Sequence, residues 1–176
     1  MIDEKRRKAA QENFAGYLRE GMVRREKNEI AEKMYLRNAE LSLQVAQELS
    51  ESSLKPYMWV IVCAYYSMFY MANAVLLHMG YKMGEKIVHK VTSDALIVLV
   101  VDRLKKEMIE NYESLQEDAL EIASVRADEL VENFSLERAK RSKFQYNMLE
   151  QTKENKAKTS LKRASEFVFE MKKLLG

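Results

Sequence analysis

The sequence predicts an all-α fold, an up-and-down bundle of four to six helices, and three features carry that reading. Only one Pro (Pro56) and five Gly interrupt the 176 residues, and these are the residues that most often break helices. The strong helix formers Ala, Leu, Glu, Lys, Met and Arg dominate the composition. Apolar residues recur at i, i+3 and i+4 through most of the chain, the spacing that lays one face of a helix against a core. The length suits a single domain able to bury a sizeable core.

Residues 3–21 read as an N-terminal leader helix ending near Gly21, with Phe14, Tyr17 and Leu18 on one face. The leader takes up residues 1–27, and 28–176 form the bundle core. A second helix covers about 28–50, where Ala31, Met34, Tyr35, Ala39, Leu43, Ala46 and Leu49 keep helical spacing. The cluster Ser50-Glu51-Ser52-Ser53 reads as a loop, and Pro56 suits the first turn of the next helix. Tyr57 to Leu77 carries no formal charge over 21 residues, which is transmembrane length. Its tyrosines (Tyr57, Tyr65, Tyr66, Tyr70) are spread through it rather than placed at the two ends. Membrane belts concentrate Tyr at the interfaces, so the segment is expected to be the buried central helix and no membrane is expected.

Gly80 and Gly84 bracket a turn. The run Ala95 to Val101 is apolar and β-branched enough for a strand, but a lone strand has no partner, so 89–106 is read as helical. Two further helices are expected near 112–145, with a break around Asn133, and near 152–174. In the last, Leu161, Ala164, Phe167, Val168, Met171 and Leu174 share a face.

Charge is segregated. Glu107–Glu137 holds ten acids against one base, Arg126, and Arg138–Gly176 holds eleven bases against four acids. Such a pattern fits either solvated faces that attract one another or a basic surface for RNA or an acidic partner. Cys63 is the only cysteine, which excludes an internal disulfide and a Cys-based zinc site. That economy and the lack of an apolar leader core predict a cytoplasmic protein. The two histidines, His78 and His89, are eleven apart and offer no metal site. No Gly-rich phosphate loop is present, and no cofactor is expected.

The stretch Tyr57-Met-Trp-Val-Ile-Val-Cys-Ala-Tyr-Tyr-Ser-Met-Phe-Tyr-Met-Ala-Asn-Ala-Val-Leu-Leu-His-Met-Gly80 resembles the signature helix of the HEPN superfamily. That family has an aromatic start, an Ala-Tyr-Tyr-x-Met-Phe centre, then Ala-x-x-Leu-Leu and a Gly. His89 follows at the distance where many members carry a His. Phe14–Arg24 is similar to the leader of the small single-domain archaeal and bacterial branch, and Arg141-Ser-Lys-Phe-Gln-Tyr146 to that branch's Arg-x-x-Ala-Asp-Tyr. The resemblance spans about residues 14–174. It implies a helical bundle, often dimeric, whose relatives include RNA-cutting toxins encoded beside a minimal nucleotidyltransferase and silent members that bind nucleotides or proteins.

Nuclease members share Arg-x4-6-His, in which the Arg steadies phosphate charge and the His moves the proton. Here Arg141 is followed five residues on by Tyr146, and no His stands after His89. A free tyrosine titrates near 10 and is a poor base at neutral pH. The expectation is therefore a non-catalytic module that binds a nucleotide, RNA or a nucleotidyltransferase-like partner, with no residue assigned a catalytic role. The alternatives are a degenerate ribonuclease using Arg141 and Tyr146, and a structural homodimer. The expected binding residues are Arg138, Arg141, Lys143 and His89. Tyr65, Tyr66 and Tyr70 fit a packed core or a dimer seam, or else a base-stacking surface.

Overall fold

The computed structural model describes the backbone of residues 2–132 and 150–176, and the side chains of residues 2–123 and 153–176. The elements run α1 (Glu4–Arg19), β1 (Val23–Arg25), α2 (Glu29–Glu51), α3 (Tyr57–His78), β2 (Tyr81–Met83), α4 (Val88–Leu99), α5 (Lys106–Glu132) and α6 (Glu150–Lys172), closed by a 3-10 turn at Lys173–Leu175.

Local chemistry sets the boundaries. The Asp3 carboxylate accepts from the Arg6 amide at 2.7 Å and opens α1, and the Asn28 side chain accepts from the Ala31 amide at 3.0 Å and opens α2. Both are N-caps, which satisfy amides that have no partner inside the helix. Past the end of α3, Gly80 takes φ +86°, and its amide donates to the Leu77 carbonyl at 2.8 Å. A residue with a Cβ is strained in that conformation.

Helix α3 lies at the centre. Fourteen of its 22 residues are buried, and it packs most extensively on α2 and α6, with further contacts to α5, α4 and β2. It is long and apolar enough to cross a membrane by length and composition, yet the surrounding helices cover it, as expected from its scattered tyrosines. Ala39 and Ala46 on α2 and Ala64 and Ala72 on α3 are fully buried, and such small residues let helix axes approach. Met68, Met71, Leu76, Ile109, Tyr112, Phe167 and Met171 fill the remaining core.

Three features depart from the sequence reading. The turn bracketed by Gly80 and Gly84 contains β2, which pairs antiparallel with β1 in the register Val23↔Met83, Arg24↔Lys82, Arg25↔Tyr81. Three residues are too few to show strand alternation. Gly84 closes the ribbon: its amide donates to the Met22 carbonyl at 2.7 Å, and an added Cβ would lie 3.0 Å from that oxygen. Helix α5 also begins earlier than residue 112, at Lys106. Its charged first residues hid the buried pair Ile109 and Tyr112, which have helical i, i+3 spacing. The apolar run from Ala95 is helix rather than strand, as expected, but α4 ends at Leu99 and residues 100–105 form a turn, short of the helix expected to residue 106. The expected break near Asn133 lies outside the described residues.

Helix α1 is fastened to α4 and α5 by charge. Asp94 on α4 is fully buried and accepts from Arg6 Nη1 at 2.6 Å, Asn13 Nδ2 at 3.0 Å and the Tyr17 hydroxyl at 3.0 Å. Arg6 Nη2 also donates to Glu113 on α5 at 2.6 Å, and Ser93 Oγ donates to the same carboxylate oxygen at 2.7 Å. Burial opposes the Arg6 charge, but the hydrogen bonds to Glu113 and Asp94 outweigh it and hold the guanidinium pKa above its ordinary value. Burial and the Asp94 contact push Tyr17 up to about 12. A buried carboxylate with charge-assisted donors is costly to orphan. Arg6→Ala is therefore expected to lower unfolding free energy by about 2–4 kcal/mol, with Asp94→Asn milder because the amide keeps an acceptor for Asn13 and Tyr17. Urea unfolding checks this, and a loss for Arg6→Ala of under about 1 kcal/mol, the scale of an exposed pair, would contradict it.

Candidate nucleotide-binding face around His89

The spacing of α3 places aromatic rings in a compact set. Tyr65, Tyr66, Phe69 and Tyr70 stand at i, i+1, i+4 and i+5, and the first turn of α4 brings His89 onto them. The His89 ring centroid lies 4.7 Å from that of Phe69, 5.6 Å from Tyr65 and 6.2 Å from Tyr66, the last edge-on. Tyr66 and Tyr70 are 5.9 Å apart, and Tyr35 of α2 extends the row 6.4 Å from Tyr70. These separations and tilted or edge-on arrangements suit the aromatic quadrupole. Two residues before His89, Ile87 takes φ +43° in the left-handed region, a strained state for a β-branched residue.

The rings divide by burial. Tyr65 is fully buried, Phe69 nearly so, Tyr70 and His89 half-buried, and Tyr66 is 36% exposed. Tyr65 is core, and Tyr66 presents a ring to solvent.

The Tyr65 hydroxyl lies 2.6 Å from His89 Nδ1. Burial pushes the Tyr65 phenol up and the His89 imidazole down. Both groups are therefore uncharged at neutral pH, and where the phenol donates to Nδ1 the imidazole proton stands on Nε2. Beneath them the wholly buried Tyr112 hydroxyl faces that of Tyr65 without a hydrogen bond of acceptable geometry, and burial drives its pKa far up. A neutral imidazole whose Nδ1 is occupied is a hydrogen-bond donor through Nε2, not a base in waiting. A donor beside an exposed ring is what a planar heterocycle needs, one edge bonded and one face stacked. Lys86 and Lys90, both exposed, flank His89 in the chain, but Lys86 faces the β1–β2 ribbon and Lys90 the side of Arg6 and Glu113.

Of the other sequence candidates, His78 closes α3 and lies 3.2 Å through Nδ1 from Glu32 Oε1. Cys63 is half-buried, and burial raises its thiol pKa. Arg138, Arg141, Lys143 and Tyr146 lie outside the described residues. Among the described residues no group of three or more His, Cys, Asp or Glu is arranged to hold a metal ion. Sequence reasoning missed Phe69 as the ring under His89, although its i, i+4 spacing from Tyr65 was a usable signal. Tyr112 and the Tyr65–His89 bond join residues distant in sequence and left no local sign.

The depressed His89 pKa has a consequence for stability. The folded state resists protonation at this ring more than the unfolded chain does, so stability from the site is fully present above the ordinary imidazole pKa of 6.5. It is lost as pH falls through the depressed value. Wild type is expected to lose more unfolding free energy between neutral pH and about pH 5 than His89→Gln does. Parallel denaturant titrations at the two pH values decide it, and equal losses would argue against a buried neutral imidazole.

A family model described as HEPN domain matches residues 32–174. No curated protein and no solved structure matches the chain. The matched range takes in nearly all of α2 together with α3 to α6 and the whole aromatic face, and leaves α1 and β1 before it. With more than half of its length matched, and with the helical bundle that such domains form, the chain belongs to the HEPN family.

Proposed function

We propose that this HEPN protein is a non-catalytic binding module whose ligand is a nucleotide or single-stranded RNA, taken up at the Tyr66–Tyr70–His89 face. The observation that supports this reading best is the Tyr65 hydroxyl 2.6 Å from His89 Nδ1, which leaves Nε2–H as a donor beside the exposed Tyr66 ring. Such a histidine holds a ligand; it does not take a proton from one. The missing histidine after Arg141 argues the same way, because no side chain at the motif titrates near neutral pH. A nucleotidyltransferase-like protein partner, as in a toxin–antitoxin pair, is compatible with this role.

The test is fluorescence anisotropy with a labelled short RNA and with a labelled adenine nucleotide. Tyr66→Ala is expected to weaken binding by about 5–100-fold, the loss of one stacked base. His89→Phe keeps a ring and loses the donor, so a smaller loss of about 2–10-fold is expected. Absence of binding, or binding untouched by both substitutions, would remove this face as the site. RNA cleavage by the wild type that is lost in Tyr146→Phe would replace the reading with the ribonuclease one.

A further inference from the structure

The β1–β2 ribbon borders a cleft with which neither the core nor the His89 face is concerned. Past α1 the chain turns at Gly21, where φ is +72° and an added Cβ would meet nothing within 4 Å. Across from it, the Gly84 amide donates to the Met22 carbonyl at 2.7 Å, and the chain turns again before α4. Between the two turns lies a cleft of about 510 Å³, inside the range of about 300–1,000 Å³ that small-molecule sites occupy. Its wall at Glu20–Arg24 precedes the range matched to the family.

The charges of the cleft identify its occupant. Arg24 and Lys86 line it, as do Glu20 and Glu85, and none of the four has an ion-pair partner among the described residues. Lys82 lines it too, but is committed to Glu26 at 2.8 Å. In the ribbon register Arg24 stands opposite Lys82, and like charges so placed destabilise a sheet. Arg24 Nε donates to the Gly21 carbonyl at 3.3 Å, which ties the guanidinium to the wall of the cleft and leaves the Nη groups for another acceptor. A cation oriented by its own chain and not neutralised by it suits an anion from outside, and its planar fork fits a carboxylate. The two acids call for a cation on the same ligand, since an anion alone would meet them as like charges.

We propose that this cleft binds a free α-amino acid, its carboxylate on Arg24 and Lys86, its ammonium on Glu20 and Glu85, and its side chain against Met22. The proposal stands on the ribbon alone and is independent of the ligand reading at the His89 face.

Isothermal titration calorimetry of the full chain against the common α-amino acids tests it, with inorganic phosphate and the N-acetyl and carboxamide derivatives of the amino acid that binds as controls. Blocking either end of that amino acid weakens binding by about tenfold or more, the loss of one charge-assisted pair. Arg24→Lys weakens it to a similar extent, because the ammonium keeps the charge and loses the fork, and so does Glu85→Gln. Both residues are exposed, so the variants keep the circular dichroism and thermal midpoint of the wild type. Tyr66→Ala leaves amino-acid binding unchanged, which separates this cleft from the His89 face. Failure of every amino acid to bind overturns the proposal, as does uptake of inorganic phosphate in their place, binding indifferent to Arg24→Lys and Glu85→Gln, or binding lost in Tyr66→Ala.

Discussion

An uncharged 22-residue helix cannot be left in water, and the arrangement of this protein follows from covering α3. Each fully buried Leu, Ile, Met or Phe side chain contributes about 1.5–3 kcal/mol relative to exposure, and α3 places more of them in the core than any other described helix. Helices α2 and α6 take its two largest contacts, and α5, α4 and β2 take the rest. The cover stops along one line. Trp59, Cys63, Tyr66 and Tyr70, spaced four, three and four apart, share the face of α3 that stays exposed or half-buried. Among the described residues, the aromatic face is thus the place where the bundle leaves its central helix open.

Polar chemistry then fixes what borders that opening. His89 and Asp94 lie on α4 about one and a half turns apart. Asp94 is held by three donors from α1, and Glu113, next to Tyr112, shares the Arg6 guanidinium. The N-terminal helix precedes the part of the chain matched to the family, yet its charges lock the two helices that meet Tyr65. A buried cluster of this kind adds little net stability compared with apolar packing, but it fixes one register of α1 on α4 where apolar contacts tolerate slippage. The alignment of His89 over Phe69 rests on that register.

Much of this was legible in the sequence. The helices α1 to α4 and α6 followed from apolar periodicity and from Gly and Pro punctuation, and the scattered tyrosines of α3 correctly gave a buried helix. The short strands were not legible, because a two-stranded ribbon of three-residue strands is decided by backbone pairing between distant segments. At the site, His89 and the tyrosines were visible as candidates. Which tyrosine was core and which was surface was not, since Tyr65 and Tyr66 are adjacent and differ only in the side of α3 they occupy. The Asp94 cluster was likewise invisible, its donors standing more than seventy residues from their acceptor.

The central claim is that Tyr65 holds His89 neutral with its proton on Nε2. Nitrogen-15 NMR of the histidine side chains reads that state directly, because protonated and unprotonated ring nitrogens resonate far apart. At neutral pH the account predicts an unprotonated Nδ1 and a protonated Nε2 for His89, with Tyr65→Phe allowing both neutral tautomers and raising the pH at which the ring charges. An imidazolium at neutral pH, an Nδ1–H tautomer, or a ring indifferent to Tyr65→Phe would contradict it.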